Sequence, residues 1–347
     1  MTAESGTEAG AGGDHVGRQV RFVAPHTAEV ARTPIETPGA DEVRVETALS
    51  AISPGTELLV YRDQVPDDVR LDETIDSLDR AATYPLSYGY AAVGTVTATG
   101  TDVADEWVGQ RVFAFHPHAS HFCVTPESLV RLPPGIDDED AVLLAMAETA
   151  VSLAMDGRPR VGERVAVFGQ GVVGLLTTAM LSRFPLDRLV TFDHYPARRE
   201  RSRARGADAS LPPDAAGEAF QTGDRRADLS YEVSGNPAAL DAAIDTTGDD
   251  GRVVVGSWYG SKPTTLDLGG RFHRSHIRLQ ASQVSRIDPA HADRWDKDRR
   301  MGLVLDLLPE LAPSELVTHR LPVEEAPRAY ELLDQSPEEA LQVVLEY

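Results

Sequence analysis

The sequence predicts an α/β protein with a β-rich first half and a second half built on a doubly wound parallel sheet. From about Gly17 to Arg131, short β-rich runs alternate with turn residues and show no long helical period. From Asp138 the chain becomes helical, and after Gly162 strand-like and helix-like segments alternate. Its 347 residues exceed one ordinary core and suit two domains of roughly 150 to 200 residues.

The strands of the first half predict a compact, antiparallel, barrel-like domain. The runs are RQVRFVA, EVRVETALSAIS, YAAVGTVTATG, QRVFAF and HFCV. Between the second and third runs lies the acidic insert DQVPDDVRLDETIDSLDRAATYP, which we interpret as a surface excursion near the mouth of a cleft. The apolar run AVLLAMAETAVSLAM then predicts a buried connecting helix.

The second half repeats a strand-then-helix unit. Its strand-like segments are VAVFG, LVTFD, LSYEVSG and RVVVGSWYG, and PAALDAAIDTT is one of the helices between them. Such alternation predicts a parallel sheet that binds ligands at the carboxyl ends of its strands. The segment DKDRRMGLVLDLLPELA is helical again, and the tail contains a helix and a final strand, VVLEY.

The most informative motif is VAVFGQGVVG, in which a strand runs into Gly169, Gly171 and Gly174 with the spacing G-x-G-x-x-G. Gly169 permits a tight turn, Gly171 lets a pyrophosphate approach the backbone, and Gly174 lets the following helix press against the strand. That helix begins near Val172 and Val173, so its amino end faces the phosphates. Because the motif stands between a strand and a helix, it predicts dinucleotide binding rather than a ligand-free glycine turn.

The next strand ends at Asp193, nineteen positions past Gly174. A carboxylate there accepts hydrogen bonds from a ribose 2′-hydroxyl, which favours NAD. Arg198 and Arg199 follow closely and are within reach of a 2′-phosphate, so NADP stays open and Arg198 is included among the cofactor residues. The alternative is that these arginines form the solvated face of the next helix.

Four further residues are predicted to lie beside the ribose and nicotinamide because they end two strands of the parallel sheet. They are Ser234, Gly235, Gly256 and Ser257. The alternative is that the glycines only satisfy the geometry of loops. That alternative explains why glycine is present but not why it recurs at the ends of strands.

Charge excludes two classes of partner. The chain has 55 acidic and 33 basic side chains, a formal charge of −22. This charge repels the phosphates of nucleic acids and anionic lipids, so neither is an expected partner. Lys262 and Lys297 are the only lysines, and acid excess with lysine depletion resembles halophilic proteins from salt-saturated cytoplasm.

The remaining composition indicates a cytoplasmic protein. Cys123 is the sole cysteine, which excludes a disulfide framework and a thiolate-rich zinc site. No apolar stretch approaches the roughly 20 residues of a membrane span, and the start MTAESGTEAGAGGD lacks the features of a signal peptide. We expect residues 1–15 to be a disordered acidic tail.

The whole pattern resembles the medium-chain dehydrogenase/reductase superfamily, the zinc alcohol dehydrogenase-like proteins. The likeness runs from about Val20 to Tyr347 through ISPGTELL, YPLSYGYAAVGTV, VGQRVFAF, AETAVSLA, VGERVAVFGQGVVG and YEVSGNPAALDAAI. It implies a GroES-like catalytic domain over 16–157 and 300–347, a Rossmann domain over 158–299, and a cofactor between them. Within the superfamily, the bacteriochlorophyllide dehydrogenase branch is nearest in sequence style to two segments, SAISPGTELLVYR and YPLSYGYAAVG. We do not transfer the pigment substrate of that branch to this protein.

The ligands of the family's catalytic zinc are missing. The cysteine position before Gly-Thr-acid is Pro54, and the His-Glu pair is Tyr90 and Ala91. Glu148 lies near the third position, but one carboxylate cannot hold zinc alone. We therefore predict no metal at this site.

A compensating group of potential ligands lies in FHPHASHFCV. It contains His116, His118, His121 and Cys123. Metal binding by this group is the less favoured interpretation, and a polar pocket wall or a set of surface residues are the alternatives.

Without zinc, a hydrogen-bond donor must stabilise the alkoxide charge that develops during hydride transfer. Tyr90 is the candidate, as a donor or, with a lowered pKa, as a base; strand packing is the alternative. The resemblance implies that Thr56 supplies a proton-relay hydroxyl. The alternative is that Thr56 only stabilises the turn in which it lies. His116 or His118 would carry the proton onward or act as the acid.

These features predict an NAD(P)-dependent oxidoreductase that interconverts a small-molecule alcohol and a carbonyl compound without zinc. One alternative is a zinc-independent enone or quinone reductase, in which Tyr90 protonates an enolate. Another is a dinucleotide-binding protein without turnover. Dimers and tetramers are common among members of this superfamily. The sequence is compatible with a homo-oligomer but does not fix the number of subunits.

Overall fold

Three sheets form the frame of the computed structural model, which describes residues 16–220 and 226–347. One has seven strands, one has six parallel strands, and one is a two-stranded ribbon. The tail predicted to be disordered, residues 1–15, lies outside the described residues. No helix in the described ranges has the length and apolarity needed to cross a bilayer.

From residue 16 to residue 157 the structure has seven strands and three α-helices. The strands are β1 (Val16–Ala24), β2 (Thr27–Pro34), β3 (Val43–Ala51), β4 (Ala92–Thr99), β5 (Arg111–Ala114), β6 (His121–Val124) and β7 (Leu129–Arg131), and the helices are α1 (Glu57–Tyr61), α2 (Asp138–Ala141) and α3 (Leu144–Gly157). β1 and β2 form the ribbon, and β3 pairs antiparallel with both β4 and β6. Helix α3 is the buried apolar helix that the sequence predicted.

The second half is the alternating part. It contains β8 (Arg164–Phe168), α4 (Val172–Leu181), β9 (Arg188–Phe192), α5 (Pro196–Ala204), β10 (Ala209–Leu211), β11 (Ala227–Glu232), α6 (Pro237–Thr246), β12 (Thr247–Val255) and β13 (Arg278–Ala281). These strands pair in parallel in the order β10-β9-β8-β11-β12-β13. The strand order therefore reverses between β8 and β11, and a doubly wound sheet binds ligands in the crevice at that point. The predicted fold class is confirmed.

The tail returns to the first sheet. It comprises α7 (Lys297–Leu311), β14 (Val317–Pro322), α8 (Ala326–Gln335) and β15 (Gln342–Glu346). β15 pairs in parallel with β14 and antiparallel with β3. Short 3-10 helices occur at Asp76–Leu78, Asp105–Trp107, Pro126–Ser128, Pro213–Glu218, Pro313–Leu316 and Val323–Glu325, and a π-helical turn at Leu268–Phe272.

The predicted domain boundaries stay predictions. The one between residues 157 and 158 falls at the end of α3, and the one between 299 and 300 falls inside α7.

Two apolar clusters meet near the candidate site. The first packs α3 against α4 and α7, with Leu144, Leu175 and Leu308 fully buried. The second joins β1 and α1 to the tail helix α8. Tyr90 is a partly buried neighbour of both clusters. Because burying one large apolar side chain contributes about 1.5–3 kcal/mol, these clusters stabilise the packing around Tyr90.

Candidate active site and dinucleotide crevice

The glycine loop between β8 and α4 has the geometry of a pyrophosphate cradle. Gly169 has a φ of 96°, and a Cβ there would lie 2.5 Å from the Cα of Ser234. A Cβ on Gly174 would lie 2.0 Å from the carbonyl oxygen of Gly169. A Cβ on Gly171 would meet no atom within 4 Å. Two of the glycines are therefore required by close backbone packing, and the third faces open space in front of α4, which begins at Val172 and Val173.

Asp193 follows β9 and is tied to this loop. Its Oδ2 accepts a hydrogen bond from the backbone N–H of Gln170 at 2.7 Å, and its Oδ1 accepts one from that of Tyr195 at 2.8 Å. The carboxylate is almost fully buried. Each oxygen has a second lone pair, so Asp193 can still accept hydrogen bonds from ribose hydroxyls.

Arg198 stays a predicted cofactor residue, and its guanidinium carbon lies 4.8 Å from the centroid of the Tyr195 ring, just after β9. Its Nη2 donates to the carbonyl oxygens of Pro337, at 2.5 Å, and Ala340, at 3.2 Å. Arg199 donates from Nη1 to the carbonyl oxygen of Asp193 at 2.9 Å. The pattern of charges could not reveal that backbone carbonyls of the tail, 139 positions away, are the partners of Arg198. These hydrogen bonds connect Arg198 to the tail.

The four strand-end residues of the opposite side form two adjoining loops. The backbone N–H of Gly235 donates to Ser257 Oγ at 2.8 Å, which links the loop after β11 to the loop after β12. A Cβ on Gly256 would lie 2.7 Å from Leu153 Cδ2, so α3 packs directly against the end of β12. The backbone N–H of Ser234 donates to Glu232 at 2.7 Å.

Glu232 was not predicted and anchors this side of the crevice. The carboxylate is fully buried and accepts hydrogen bonds from Ser234 and from the hydroxyl of Tyr259, the latter at 2.5 Å. Burial and the neighbouring Glu232 both raise the pKa of Tyr259. Lys262 Nζ donates to the carbonyl oxygen of Gly235 at 2.5 Å. A buried acid at a strand end was visible in YEVSG, but its partners were not.

Tyr90 and Thr56 are brought together. The hydroxyl of Tyr90 donates to Ser53 Oγ at 2.5 Å and lies 3.4 Å from Thr56 Oγ1. Burial raises the pKa of Tyr90 to about 12, although both hydroxyl neighbours act to lower it. The phenol therefore keeps its proton at neutral pH, which supports the donor alternative and argues against a base with a lowered pKa.

His118 does not occupy the position predicted for a proton shuttle. Its side chain is fully buried, with Nε2 2.9 Å from Glu57 Oε2 and Nδ1 2.7 Å from Ser50 Oγ. Both ring nitrogens are engaged, so neither can reach a substrate. A Cβ on Gly89 would lie 2.6 Å from the His118 ring, which therefore packs directly behind the backbone that carries Tyr90.

Glu57 links these groups and was missed as a functional residue. It is fully buried and accepts hydrogen bonds from the backbone N–H of Ser53 at 2.8 Å, from His118, and from the Tyr330 hydroxyl at 2.5 Å. Tyr347 OH lies 2.9 Å from Ser50 Oγ and extends the network to the end of the chain. Glu57 thus positions Ser53, and Ser53 in turn orients the Tyr90 hydroxyl.

His116 lies apart from this network. Its Nδ1 is 2.8 Å from the carbonyl oxygen of Pro117, and its ring stacks on Phe122 with the centroids 4.0 Å apart. Burial lowers the pKa of His116 to about 4, so the ring is neutral at physiological pH. With Nδ1 donating to Pro117, Nε2 is left as an acceptor, and His116 stays a candidate for proton transfer.

The residues at the family's zinc positions do not fit the metal. Pro54 and Ala91 carry no donor atoms, and Tyr90 presents a protonated phenol. Glu148 is occupied, because its Oε1 accepts hydrogen bonds from Arg300 Nε at 3.0 Å and Nη2 at 2.8 Å. Both side chains of this pair are buried.

The histidine group does not converge either. Within 16–220 and 226–347, no set of three or more His, Cys, Asp or Glu side chains is arranged to hold a metal ion. Cys123 Sγ lies 3.7 Å from the carbonyl oxygen of Glu36, away from the buried ring of His118.

A glycine-rich crevice at the switch point of a parallel sheet, with a hydroxyl cluster on the adjoining β-rich part, is typical of dinucleotide-dependent dehydrogenases. The model of the zinc-binding dehydrogenase family matches residues 172–296. D-guloside 3-dehydrogenase of Escherichia coli (strain K12) is 24% identical over 326 residues, covering 88% of this chain and 92% of that protein.

Two solved structures share the fold. The rspB alcohol dehydrogenase of E. coli CFT073, crystallised with NADH, has a TM-score of 0.78 at 20% identity, covering 96% of this chain and 100% of that one. The 2R,3R-butanediol dehydrogenase of Bacillus subtilis also has a TM-score of 0.78, at 18% identity, covering 95% and 99%. Over residues 172–296 the chain matches the zinc-binding dehydrogenase family, and over nearly its full length it is similar to alcohol dehydrogenase-like oxidoreductases of the medium-chain dehydrogenase/reductase superfamily. The finer likeness to the bacteriochlorophyllide branch stays a prediction.

Proposed function

We propose that this protein interconverts an alcohol and a carbonyl compound with a nicotinamide dinucleotide, and that it does so without a catalytic zinc ion. The observation that carries the proposal is the hydroxyl cluster of Tyr90, Ser53 and Thr56, in which a protonated phenol stands at the family's metal-histidine position. The named dehydrogenases among the relatives support the alcohol and carbonyl pair as the substrate class.

The crevice residues fit a dinucleotide. The loop from Gly169 to Gly174 and the start of α4 would hold the pyrophosphate, and Asp193 would hold the adenosine ribose. When bound, the nicotinamide ring supplies or accepts the hydride. Asp193 and the engagement of Arg198 with the tail favour NAD, and the rspB structure with NADH supports the same choice. NADP is the alternative.

The chain's own residues account for the proton and the charge. In the reducing direction, Tyr90 donates its hydroxyl proton to the substrate oxygen as negative charge develops there. Ser53 and Thr56 are placed to relay a proton from water to the phenol, since both hydroxyls lie within 3.4 Å of it and Thr56 is partly exposed. The buried Glu57 and His118 keep Ser53 in place and transfer no proton to the substrate themselves.

The test is oxidation of NADH and NADPH, followed by absorbance, with a panel of ketones, ketoses, enones and quinones. The protein is kept in molar KCl after dialysis against a chelator. We expect turnover with ketones or ketoses, unchanged by added zinc. Tyr90→Phe should lower kcat by about 100- to 1,000-fold. Tyr88→Phe is the matched control, because the ring of Tyr88 packs edge-on at 6.3 Å from that of Tyr90.

Four results would contradict the proposal. Equal rates for Tyr90→Phe and the wild type would remove the role of the phenol. Activity that disappears with the chelator and returns with zinc would overturn zinc independence. Turnover of enones or quinones alone would establish the alternative reductase, and saturable NADH binding without turnover would establish a binding protein.

A further inference from the structure

A polar cavity of about 320 Å³ lies in the β-rich part of the molecule. Its walls come from β1, from the end of the acidic insert, from the segment before Gly89, and from the loop that carries His116. The polar lining residues are Gln19, Arg21, Ser77, Arg80, Ser87 and His116. A volume of this size suits a small ligand.

Its two arginines bond to neutral groups only. Arg21 donates from Nε and Nη2 to the side-chain oxygen of Gln19, both at 3.3 Å, and Arg80 donates from Nη2 to the carbonyl oxygen of Ser87 at 2.5 Å. Among the side chains that the structure describes, neither arginine forms an ion pair, although the chain has 55 acidic residues against 33 basic ones. Partial burial lowers the pKa of Arg80 with no carboxylate acting against it.

The other lining groups complete a hydrogen-bonding set. Ser77 Oγ is buried and has no hydrogen-bond partner among the described residues. A buried hydroxyl without a partner costs free energy that a ligand oxygen would recover. His116 is neutral and has Nε2 available as an acceptor, which suits a ligand hydroxyl.

We propose that this cavity binds a small hydroxylated oxyanion, with Arg21 and Arg80 contacting its carboxylate or phosphate, Ser77 donating to the same group, and His116 accepting from a hydroxyl. The guanidinium fork is the side chain best matched to such a planar or tetrahedral oxyanion. This proposal does not rest on the dehydrogenase reaction. The oxyanion is either the charged end of the substrate or part of a separate effector.

The probes are gluconate and sorbitol, which differ mainly in a carboxylate, together with inorganic phosphate. Binding is measured by equilibrium dialysis at the lowest KCl concentration that preserves the near-UV circular dichroism spectrum. We expect saturable binding of gluconate and phosphate, with sorbitol weaker by about tenfold or more. Arg21→Met and Arg80→Met should each weaken gluconate binding by about tenfold.

Arg70→Met is the matched control, because Arg70 belongs to the same insert but forms an ion pair with Asp79. It should bind gluconate like the wild type. Arg80→Lys, which keeps the charge and loses the fork, should lie between the wild type and Arg80→Met. Circular dichroism of every variant separates lost binding from lost fold.

The proposal fails if gluconate and sorbitol bind equally, if neither anion saturates, or if the Arg21, Arg80 and Arg70 variants bind alike. Once the anion binds, inhibition kinetics with NADH assign its source. Competition with the carbonyl substrate identifies the substrate's own charged end, whereas inhibition that substrate does not relieve identifies an effector. Because dialysis needs no turnover, an inactive protein would still test the cavity.

Discussion

Replacing Arg300 tests whether Glu148 is an ion-pair partner rather than a metal ligand. Arg300 is almost fully buried, and two of its nitrogens donate to Glu148 Oε1. Its remaining N–H groups contact Ser152 Oγ at 3.3 Å and the carbonyl oxygens of Val284 and Arg286. Arg300→Met removes all of these donors and leaves a buried carboxylate alone.

The expected loss in the free energy of unfolding is about 3–5 kcal/mol near pH 8, because the buried carboxylate loses its paired cation and must either stay charged alone or take up a proton. The matched control is Arg320→Met, which breaks a similar two-bond pair with Glu139 whose side chains are 44% and 35% exposed. That exposed pair should contribute only about 0–1 kcal/mol and should weaken as salt is added.

The loss also has a predicted pH dependence. Burial already raises the pKa of Glu148, against the opposing effect of Arg300, so the variant raises it further. The folded variant then holds a proton that the unfolded chain releases. Its stability is therefore nearest to the wild type at acidic pH, below the unfolded pKa, and falls as the pH rises from there through the raised folded pKa.

Urea unfolding in KCl, followed by fluorescence and near-UV circular dichroism, measures these losses. Arg300→Met/Glu148→Gln should recover part of the stability because glutamine is neutral. If Arg300→Met is no less stable than Arg320→Met across this pH range, the argument for a structural pair is refuted. The freed Glu148 should also bind no stoichiometric zinc, because Pro54 and Ala91 supply no ligands.

Four further outcomes follow from the same geometry. Gly171→Ala should fold normally but bind NADH at least about tenfold more weakly, since its methyl enters the proposed pyrophosphate site. Gly174→Ala should instead destabilise the fold itself, and calorimetry and thermal melts distinguish the two. With the pKa of Tyr90 at about 12, kcat for carbonyl reduction should be flat between about pH 7 and pH 10, and a fall across that range would indicate a lower pKa. Asp193→Asn should weaken NADH binding more than NADPH binding in paired titrations, and equal losses would contradict its ribose role. The melting temperature should fall between molar and millimolar KCl because the net charge is −22, and an unchanged value would exclude halophilic adaptation.

Periodicity was sufficient to predict the elements that bury a continuous apolar face. The runs of β8, β9, β11 and β12, and the dense apolar helix α3, were all readable for this reason. The elements that were missed are exposed, polar or short. β13 reads RLQA, with Leu279 40% exposed, and β2 alternates between exposed and partly buried positions without a strong apolar set. Their strand character comes from pairing with a neighbour that sequence cannot identify.

The residues of the candidate site also fall into a group that the sequence could predict and a group that it could not. The three glycines and Asp193 form a local motif, so their geometry was predictable from spacing. The partners of His118 and Arg198 were not, because Glu57 lies 61 positions from His118 and Ala340 lies 142 from Arg198. Residue type indicated that these groups are polar and important, but only the tertiary fold decides which atoms satisfy them.

Two residues, Arg300 and Tyr90, would compensate for different consequences of losing the metal at the family's zinc positions. A carboxylate as buried as Glu148 must be compensated by a cation or by hydrogen bonds, and in the family's zinc proteins the metal can supply that charge. In this protein Arg300, on α7, supplies the positive charge. The other N–H groups of Arg300 donate to Ser152 and to two backbone carbonyls, so the side chain cannot move aside without leaving several polar groups unsatisfied. In the proposed mechanism, Tyr90 would replace the remaining metal function, polarisation of the substrate oxygen, because burial keeps a proton on its phenol. Restoring a single ligand at Pro54 would therefore not recreate a metal centre, because Arg300 already holds the charge that zinc would contribute.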